Sequence, residues 1–332
     1  MSVNIYDVAK KAGVSVVTVS RVINNYPNVR DSNRKKVLEA MQELNYKPNA
    51  AARTLARGYT GMIGLIAPSI EDYFMSRVIA CTETVLKEKG MFLVLSISSG
   101  TGDILESSCT KLFREARVDG IFIMSPVLDM EYILALKKDN FPFVLLDQHQ
   151  SDLQVPSVSI DNYHGGYQAT AELIKSGARR VGHICGSDCY ESSRQRLKGY
   201  QKALEDNHIN AEDGLVAKGD FTASGGCKAV EEWIRKGILP EAIFAADDNT
   251  AFGVLEAARK YNIAVPEKLS VIGYDDHPFT SLFHPGISTI RQPAEEMARN
   301  GVELLQDIIK GKVKRITKTI LKPSVVLRGT TS

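Results

Sequence analysis

Between residues 5 and 23 the apolar positions fall on two short helical stripes separated by a glycine. Ile5, Val8 and Ala9 share one face of the first stripe, and the small side chains of Ala9 and Ala12 let a second helix approach closely at a steep angle. Gly13 supplies the backbone freedom for the turn between them. Ser15 is placed to cap the second helix, its hydroxyl accepting from amides near residues 17 and 18, and Val19, Val22 and Ile23 form the inward stripe. Val16, Val17, Ser20 and Arg21 are left facing outward. The spacing of Val37, Leu38, Met41 and Leu44 predicts a third helix over 32–44. After Pro48, residues 49–58 form a run of helix formers closed by Gly58. Helices shorter than roughly 12–15 residues are marginal in water, so this one is expected to fold on a partner.

Farther along, the period changes. Short apolar runs at 62–67, 92–96, 120–124, 143–146, 180–185, 242–246 and 270–274 read as strands. They alternate with helical patterns at 76–89, 167–176, 196–207 and 249–261. That alternation predicts parallel sheets covered by helices, and two such sets predict two lobes with a ligand crevice where the carboxyl ends of the strands meet. The regular recurrence is this strand and helix alternation, with no 20–50-residue repeat or low-complexity tract.

Two short helices around a glycine turn are a helix-turn-helix, which implies DNA. Outward valines are costly in water but can read thymine methyl groups, and Arg21 can grip a guanine edge or clamp a phosphate. Thr18 and Ser20 suit phosphate oxygens. Leu55, flanked by Arg53 and Arg57, suits a wedge in a minor-groove step between phosphate-binding arginines. A plain pair of packing helices followed by a flexible linker is the alternative. Charge supports the DNA reading: residues 1–60 hold ten lysines and arginines against four acids, a net of +6, which leaves −4 on the rest of a chain whose total is +2.

In the body, acids follow predicted strands: Asp161 after 158–160, Asp247-Asp248 after 243–246 and Asp275-Asp276 after 271–274. Acceptors on a cleft floor suit hydroxyl groups, as a sugar presents them. Asp248 and Asp276 read equally well as helix N-caps. Arg194 and Arg196 precede a helical run, and a donor fork there suits a carboxylate, a phosphate or vicinal hydroxyls. An acidic sugar is favoured if both arginines face the cleft.

Other chemistries find little support. The five cysteines, Cys81, Cys109, Cys185, Cys189 and Cys227, lack zinc spacing and fit reduced thiols. The six histidines are scattered, so neither a metal site nor a cofactor is expected. Phosphate-loop, dinucleotide and nucleophile-elbow motifs do not occur, and no catalytic residue is assigned. A sugar-processing enzyme and a free solute-binding protein remain the rivals, the second requiring export. Without an apolar signal core or a run of ~18 apolar residues, the protein is expected to be cytoplasmic and free of membrane.

The segment Asp7-Val-Ala-Lys-Lys-Ala-Gly-Val-Ser-Val-Val-Thr-Val-Ser-Arg-Val-Ile-Asn24, followed by Leu44-Asn-Tyr-Lys-Pro-Asn-Ala-Ala-Ala-Arg-Thr-Leu-Ala56, resembles the LacI/GalR family of bacterial transcription regulators. The resemblance covers essentially the whole chain. It implies an N-terminal all-α helix-turn-helix DNA-binding domain over 1–47 and a hinge helix over 48–58. An α/β two-lobed periplasmic-binding-protein-like body with parallel sheets would follow over 59–332. Its N-lobe would comprise about 60–160 plus 291–322, and its C-lobe about 161–290 plus 323–330.

Carried over from the family, Val16, Val17 and Arg21 read bases and Leu55 enters the minor groove of a near-palindromic operator. Tyr6, Ser15, Thr18, Ser20, Asn24, Asn49, Ala52, Arg53 and Ala56 complete the implied DNA contacts. Val16-Val17 departs from the Tyr-Gln that another member carries at these positions, so that member's operator is not carried over. Arg196, Asp247 and Asp275 match effector-binding positions and Phe74 lies near the cleft wall, with Asp161 and Arg194 as further candidates. Where members often carry Asn-Pro-Phe-Phe, this chain has Glu71-Asp-Tyr-Phe74. The implied protein is a homodimeric repressor whose DNA affinity is set allosterically by a sugar-like small molecule. Because the sequence ends at Ser332 without a heptad helix, a dimer is expected rather than a tetramer. The segments Asn4-Ile-Tyr-Asp-Val-Ala9, Pro27-Asn-Val29 and Arg34-Lys-Lys-Val-Leu38 also resemble the catabolite control protein subgroup, which raises a phosphoprotein corepressor as an alternative partner.

Overall fold

In the computed structural model, residues 3–24, 26–47, 58–97, 118–124, 130–147, 154–313 and 315–331 are described. They divide into two units, Met1–Gly61 and Met62–Ser332.

In the first unit, α1 (Ile5–Ala12) starts at a reciprocal cap. The Asn4 side chain accepts from the amides of Tyr6 and Asp7, and the Asp7 carboxylate accepts from the Asn4 amide. Gly13 ends the helix at φ +65°, a left-handed conformation that glycine adopts without a Cβ clash. Ser15 caps α2 (Val16–Ile23) through the Thr18 amide at 3.2 Å. Helix α3 (Asp31–Glu43) closes a small core of Val8, Ala9, Ala12, Val19, Val22, Val37 and Ala40. Leu38, expected on the inward stripe, is exposed, and Ala40 holds the buried position instead. The hinge segment 48–57, with Asn49, Ala52, Arg53, Leu55 and Ala56, lies outside the described residues.

Two six-stranded sheets build the second unit. One contains β1 (Met62–Ala67), β2 (Phe92–Ile97), β3 (Gly120–Ile123), β4 (Phe143–Leu146), β5 (Ser157–Ile160) and β11 (Lys318–Leu321), all parallel, in the order β11-β5-β4-β3-β1-β2. The other contains β6 (Val181–Ile184), β7 (Val216–Ala217), β8 (Ala242–Ala245), β9 (Ser270–Tyr274), β10 (Ser288–Arg291) and β12 (Ser324–Val326), in the order β12-β10-β9-β8-β6-β7. Among the described residues, only its β10–β12 pair is antiparallel. Strands β3, β4, β5, β6, β8 and β9 are buried along their whole length, which is why all but β5 read as apolar runs; β5, Ser157-Val-Ser-Ile160, alternates although both of its faces are covered.

Helices α4 (Tyr73–Glu88), α5 (Met130–Lys138) and α10 (Ala294–Ile309) belong to the first lobe. Helices α6 (Asn162–Lys175), α7 (Glu191–Asp206), α8 (Ala223–Lys236) and α9 (Asp248–Lys260) belong to the second. The chain passes between the lobes after β5, after β10 and after β11. Helices α4, α6 and α7 begin three to five residues before the apolar periodicity that predicted them. Asp72 and Asp161 cap the first two.

Candidate functional site

On the first unit, Tyr6 is 70% and Val17 60% exposed, and Arg21 is exposed one turn beyond Val17. Val16, expected to face outward beside Val17, is half-buried and packs on the core, because successive residues of a helix point about 100° apart and cannot both face outward fully. Ser15 and Thr18 share a hydroxyl contact at 2.9 Å, and Asn24 donates to the Ser20 carbonyl, closing the helix. The resulting face carries one apolar contact, one guanidinium and half-buried hydroxyls at Thr18 and Ser20. A helix with these groups can enter a major groove and read both a methyl and an acceptor edge.

The body holds a cavity of about 450 Å³ between its lobes. From the first lobe come Glu71, Asp72, Phe74 and Met75 at the start of α4, and Asp147 after β4. From the second come Tyr190, Ser192 and Arg196 of the α7 region, Asp220 to Ala223 before α8, Asn249 of α9 and Asp275 after β9. Gln292 lines it from the passage after β10.

Arg196 is placed by close helix packing. A Cβ on Gly166 of α6 would lie 2.3 Å from the Arg196 carbonyl oxygen, and one on Gly199 of α7 would lie 2.1 Å from the Tyr163 carbonyl. Only glycine lets the helices approach this far. The guanidinium, 5% exposed, donates from Nε to Asn162 Oδ1 at 2.9 Å and from one terminal nitrogen to the Ala246 carbonyl at 2.6 Å. It lies 3.6 Å above the Tyr274 ring. Arg194 does not join it. Its guanidinium is paired with Glu191 and donates to the Asp188 carbonyl, and it is not among the cavity-lining residues. Both arginines sit on α7, which starts at Glu191, and residues two apart on a helix point in different directions. The expected two-arginine fork for an acidic sugar is therefore absent from the cavity lining.

The acidic candidates separate by position. Asp275, with φ +108°, lines the cavity and accepts from Gln292 Nε2 at 2.5 Å. Burial pushes its carboxyl well above the usual range, opposed by Arg196 and reinforced by Asp72. Asp247 is the N-cap of α9, accepting from the Thr250 amide and hydroxyl, and is not a lining residue. Burial raises it to about 6. The capping expected of Asp248 thus falls to Asp247. Asp248 instead accepts from the His277 amide and the Thr289 hydroxyl, and burial raises it to about 8. Asp276, the other expected cap, is clamped by Arg291 and Arg328 at 2.6 and 2.7 Å. Asp161 caps α6 and lines a smaller neighbouring cavity of about 180 Å³, whereas Phe74 forms part of the main wall.

Several lining residues were not singled out from the sequence. Asp147 follows β4 just as Asp161, Asp247 and Asp275 follow their strands, so the same signal applied to it. Its backbone is left-handed at φ +55°, its Oδ1 is buried without a partner, and burial pushes its carboxyl up to about 7. Phe221, at φ +63°, places its ring where a Cβ on Gly186 would lie 1.9 Å away, and meets Tyr190 edge-on at 5.5 Å. Nothing local in the sequence announces Phe221, Asn249 or Gln292. His183 is a core residue: buried and stacked between Tyr200 and Phe244, it donates from Nδ1 to the Phe244 carbonyl, and burial lowers it to about 4.

Among the described residues, no group of three or more His, Cys, Asp or Glu side chains could hold a metal ion, and no helix is long and apolar enough to cross a membrane.

Residues 4–49 match the profile of bacterial regulatory proteins of the lacI family, and residues 170–331 that of a periplasmic binding protein-like domain. The chain is 35% identical over 306 residues to catabolite control protein A of Priestia megaterium, an alignment that covers 92% of each protein. Its structure superposes on the lac repressor dimer bound to operator and the anti-inducer ONPF with a TM-score of 0.90. That match has 30% identity and covers 100% of this chain and 99% of that one. It also superposes on the transcriptional regulator CelR in complex with cellobiose, with a TM-score of 0.75, 30% identity and 99% of each chain covered.

Proposed function

The chain belongs to the LacI family of bacterial DNA-binding transcription regulators, which join a helix-turn-helix to a ligand-binding body, and from that premise we propose that it is a repressor whose operator affinity is set by a hydroxyl-bearing small molecule held in the cleft. It acts in the cytoplasm as a homodimer on a near-palindromic operator. Two recognition helices read successive major-groove faces about one helical turn apart. Val17 and Arg21 are the principal base readers, Val16 assists at the edge, and Tyr6, Ser15, Thr18, Ser20 and Asn24 hold the backbone. Asn49, Ala52, Arg53, Leu55 and Ala56 form the hinge, with Leu55 as the wedge.

One observation carries the ligand half of this reading. Two cavity-lining acceptors lack donors, Asp147 Oδ1 on the first lobe and Gln292 Oε1 on the passage to it, and the Arg196 guanidinium faces them from the second lobe. A ligand that bridges these groups binds one arrangement of the lobes better than another, and that difference is what can change DNA affinity. The relative solved in complex with cellobiose supports a carbohydrate-like compound. With one guanidinium among the described lining residues, uronates and sugar phosphates are poor candidates.

The test is selection of bound sequences from a random DNA pool, followed by titration of the selected duplex with neutral sugars, sugar phosphates and uronates. A palindrome whose binding shifts with one sugar class supports the reading. A palindrome that responds only when a phosphoprotein is added would move control to a protein partner, and the lack of any sequence preference would defeat the DNA assignment. Leu55→Ala should weaken operator binding more than nonspecific binding, and equal losses would reject the wedge.

A further inference from the structure

The cleft presents acids in excess for a neutral sugar, and a bound cation would drive off the protons that burial favours on Asp147 and Asp275. Among the described residues, Glu71, Asp72, Asp147, Asp220 and Asp275 line it, against the single guanidinium of Arg196. That guanidinium is already engaged by Asn162, the Ala246 carbonyl and the Tyr274 ring. Asp72, Asp220 and Asp275 each commit Oδ1, to the Met75 amide, to Thr222 and to Gln292 respectively. Among the described residues, none of the five carboxylates has a salt-bridge partner.

A second observation is independent of this acidity. Gln292 is 6% exposed and lines the same cavity. Because its Nε2 donates to the Asp275 carboxylate, the amide orientation is fixed and the carbonyl oxygen is the free end. That Oε1 has no partner. Buried polar atoms are nearly always hydrogen-bonded, so what is missing here is a donor. A hydroxyl brings one donor but also lone pairs that meet carboxylate oxygens unfavourably. An ammonium brings three donors, no acceptor and the opposite charge. The metal alternative fails on geometry, since the carboxylates do not converge into a cation-binding group among the described residues. The space, about 450 Å³, is that of a small organic molecule, with Phe74, Tyr190 and Phe221 as ring walls.

We propose that the ligand is a protonated amine carried on a hydroxyl-bearing ring, an amino sugar in chemical class, whose ammonium meets the Gln292 carbonyl beside Asp275 within this acidic lining. The proposal rests on the reading of the cleft as the regulatory ligand site and narrows it.

The experiment uses the full-length chain at neutral pH and calorimetric titration with matched series built on glucose, galactose and mannose. Each series contains the neutral sugar, the amino sugar, its N-acetylated form and the sugar phosphate. In at least one series the amino sugar should bind about tenfold or more tightly than its neutral and acetylated partners, as a charge-assisted contact requires. The variant Asp275→Asn should bring that preference close to that of the neutral sugar, and an unchanged preference would overturn the placement of the ammonium. Tighter or equal binding of the neutral, acetylated or phosphorylated member would overturn the amine assignment while leaving a carbohydrate cleft in place. No binding by any member of any series would overturn both.

Discussion

In the DNA-reading unit, each group that shapes the outward face lies within a turn or two of the group that holds it. Asn4 and Asp7 cap each other, Ser15 fixes Thr18, and Gly13 sets the turn between the helices. In the body, the cleft draws its lining from residues 71 to 292, and its arginine is positioned by glycines on two helices. The first surface is secured by local capping and should tolerate change elsewhere. The second depends on close packing at a distance, so single methyl groups far from the ligand should matter.

The sharpest test of that contrast is Gly166→Ala, whose Cβ would meet the Arg196 carbonyl. It should destabilise the body by about 3 kcal/mol, roughly 6–12 °C in Tm. Trp233, the sole tryptophan and buried in the body, reports this by fluorescence. An unchanged midpoint would remove packing as the basis of the Arg196 position.

Arg21→Ala should instead cost about 1–3 kcal/mol of binding to the selected duplex, measured by fluorescence anisotropy, without moving the Trp233 transition. A loss equal on random DNA would demote Arg21 from base reader to phosphate clamp.

A third difference appears with pH. Burial raises Asp147 to about 7, Asp247 to about 6 and Asp248 to about 8. The native body therefore holds more protons than the unfolded chain between roughly pH 4 and 8, and its stability falls as pH rises through that window. Urea unfolding of the ligand-free protein should lose at least about 1 kcal/mol across it. A rise in stability with pH would contradict the burial of these carboxyls without a cationic partner. Smallest of all, Ser15→Ala should cost the reader about 1 kcal/mol, visible as weaker duplex binding with the body's transition unchanged.

The same contrast governs what could be read from the sequence. Gly13 and Ser15 announce the turn and the cap because their partners are adjacent, although the Asn4–Asp7 cap was overlooked and Leu38 was assigned inward when Ala40 is buried. Strand-end acids marked Asp275, and the same rule would have found Asp147. Position alone cannot say which acid of a pair caps a helix, and here Asp247 does so. Arg194 could have been separated from Arg196 by helical period once the helix start was known, but a polar first turn concealed that start. Phe221, Asn249 and Gln292 reach the cleft through folding of distant segments, and no local pattern marks them.

The central claim is that occupation of the cleft alters DNA binding made by a separate unit. It is tested most directly by measuring affinity for the selected duplex with and without the tightest cleft ligand, for the unaltered chain and for Asp275→Asn. The account predicts a shift of at least about fivefold for the unaltered chain and little or no shift for the variant, with both binding the free duplex comparably. Equal shifts in the two proteins would place control outside the cleft and contradict the account.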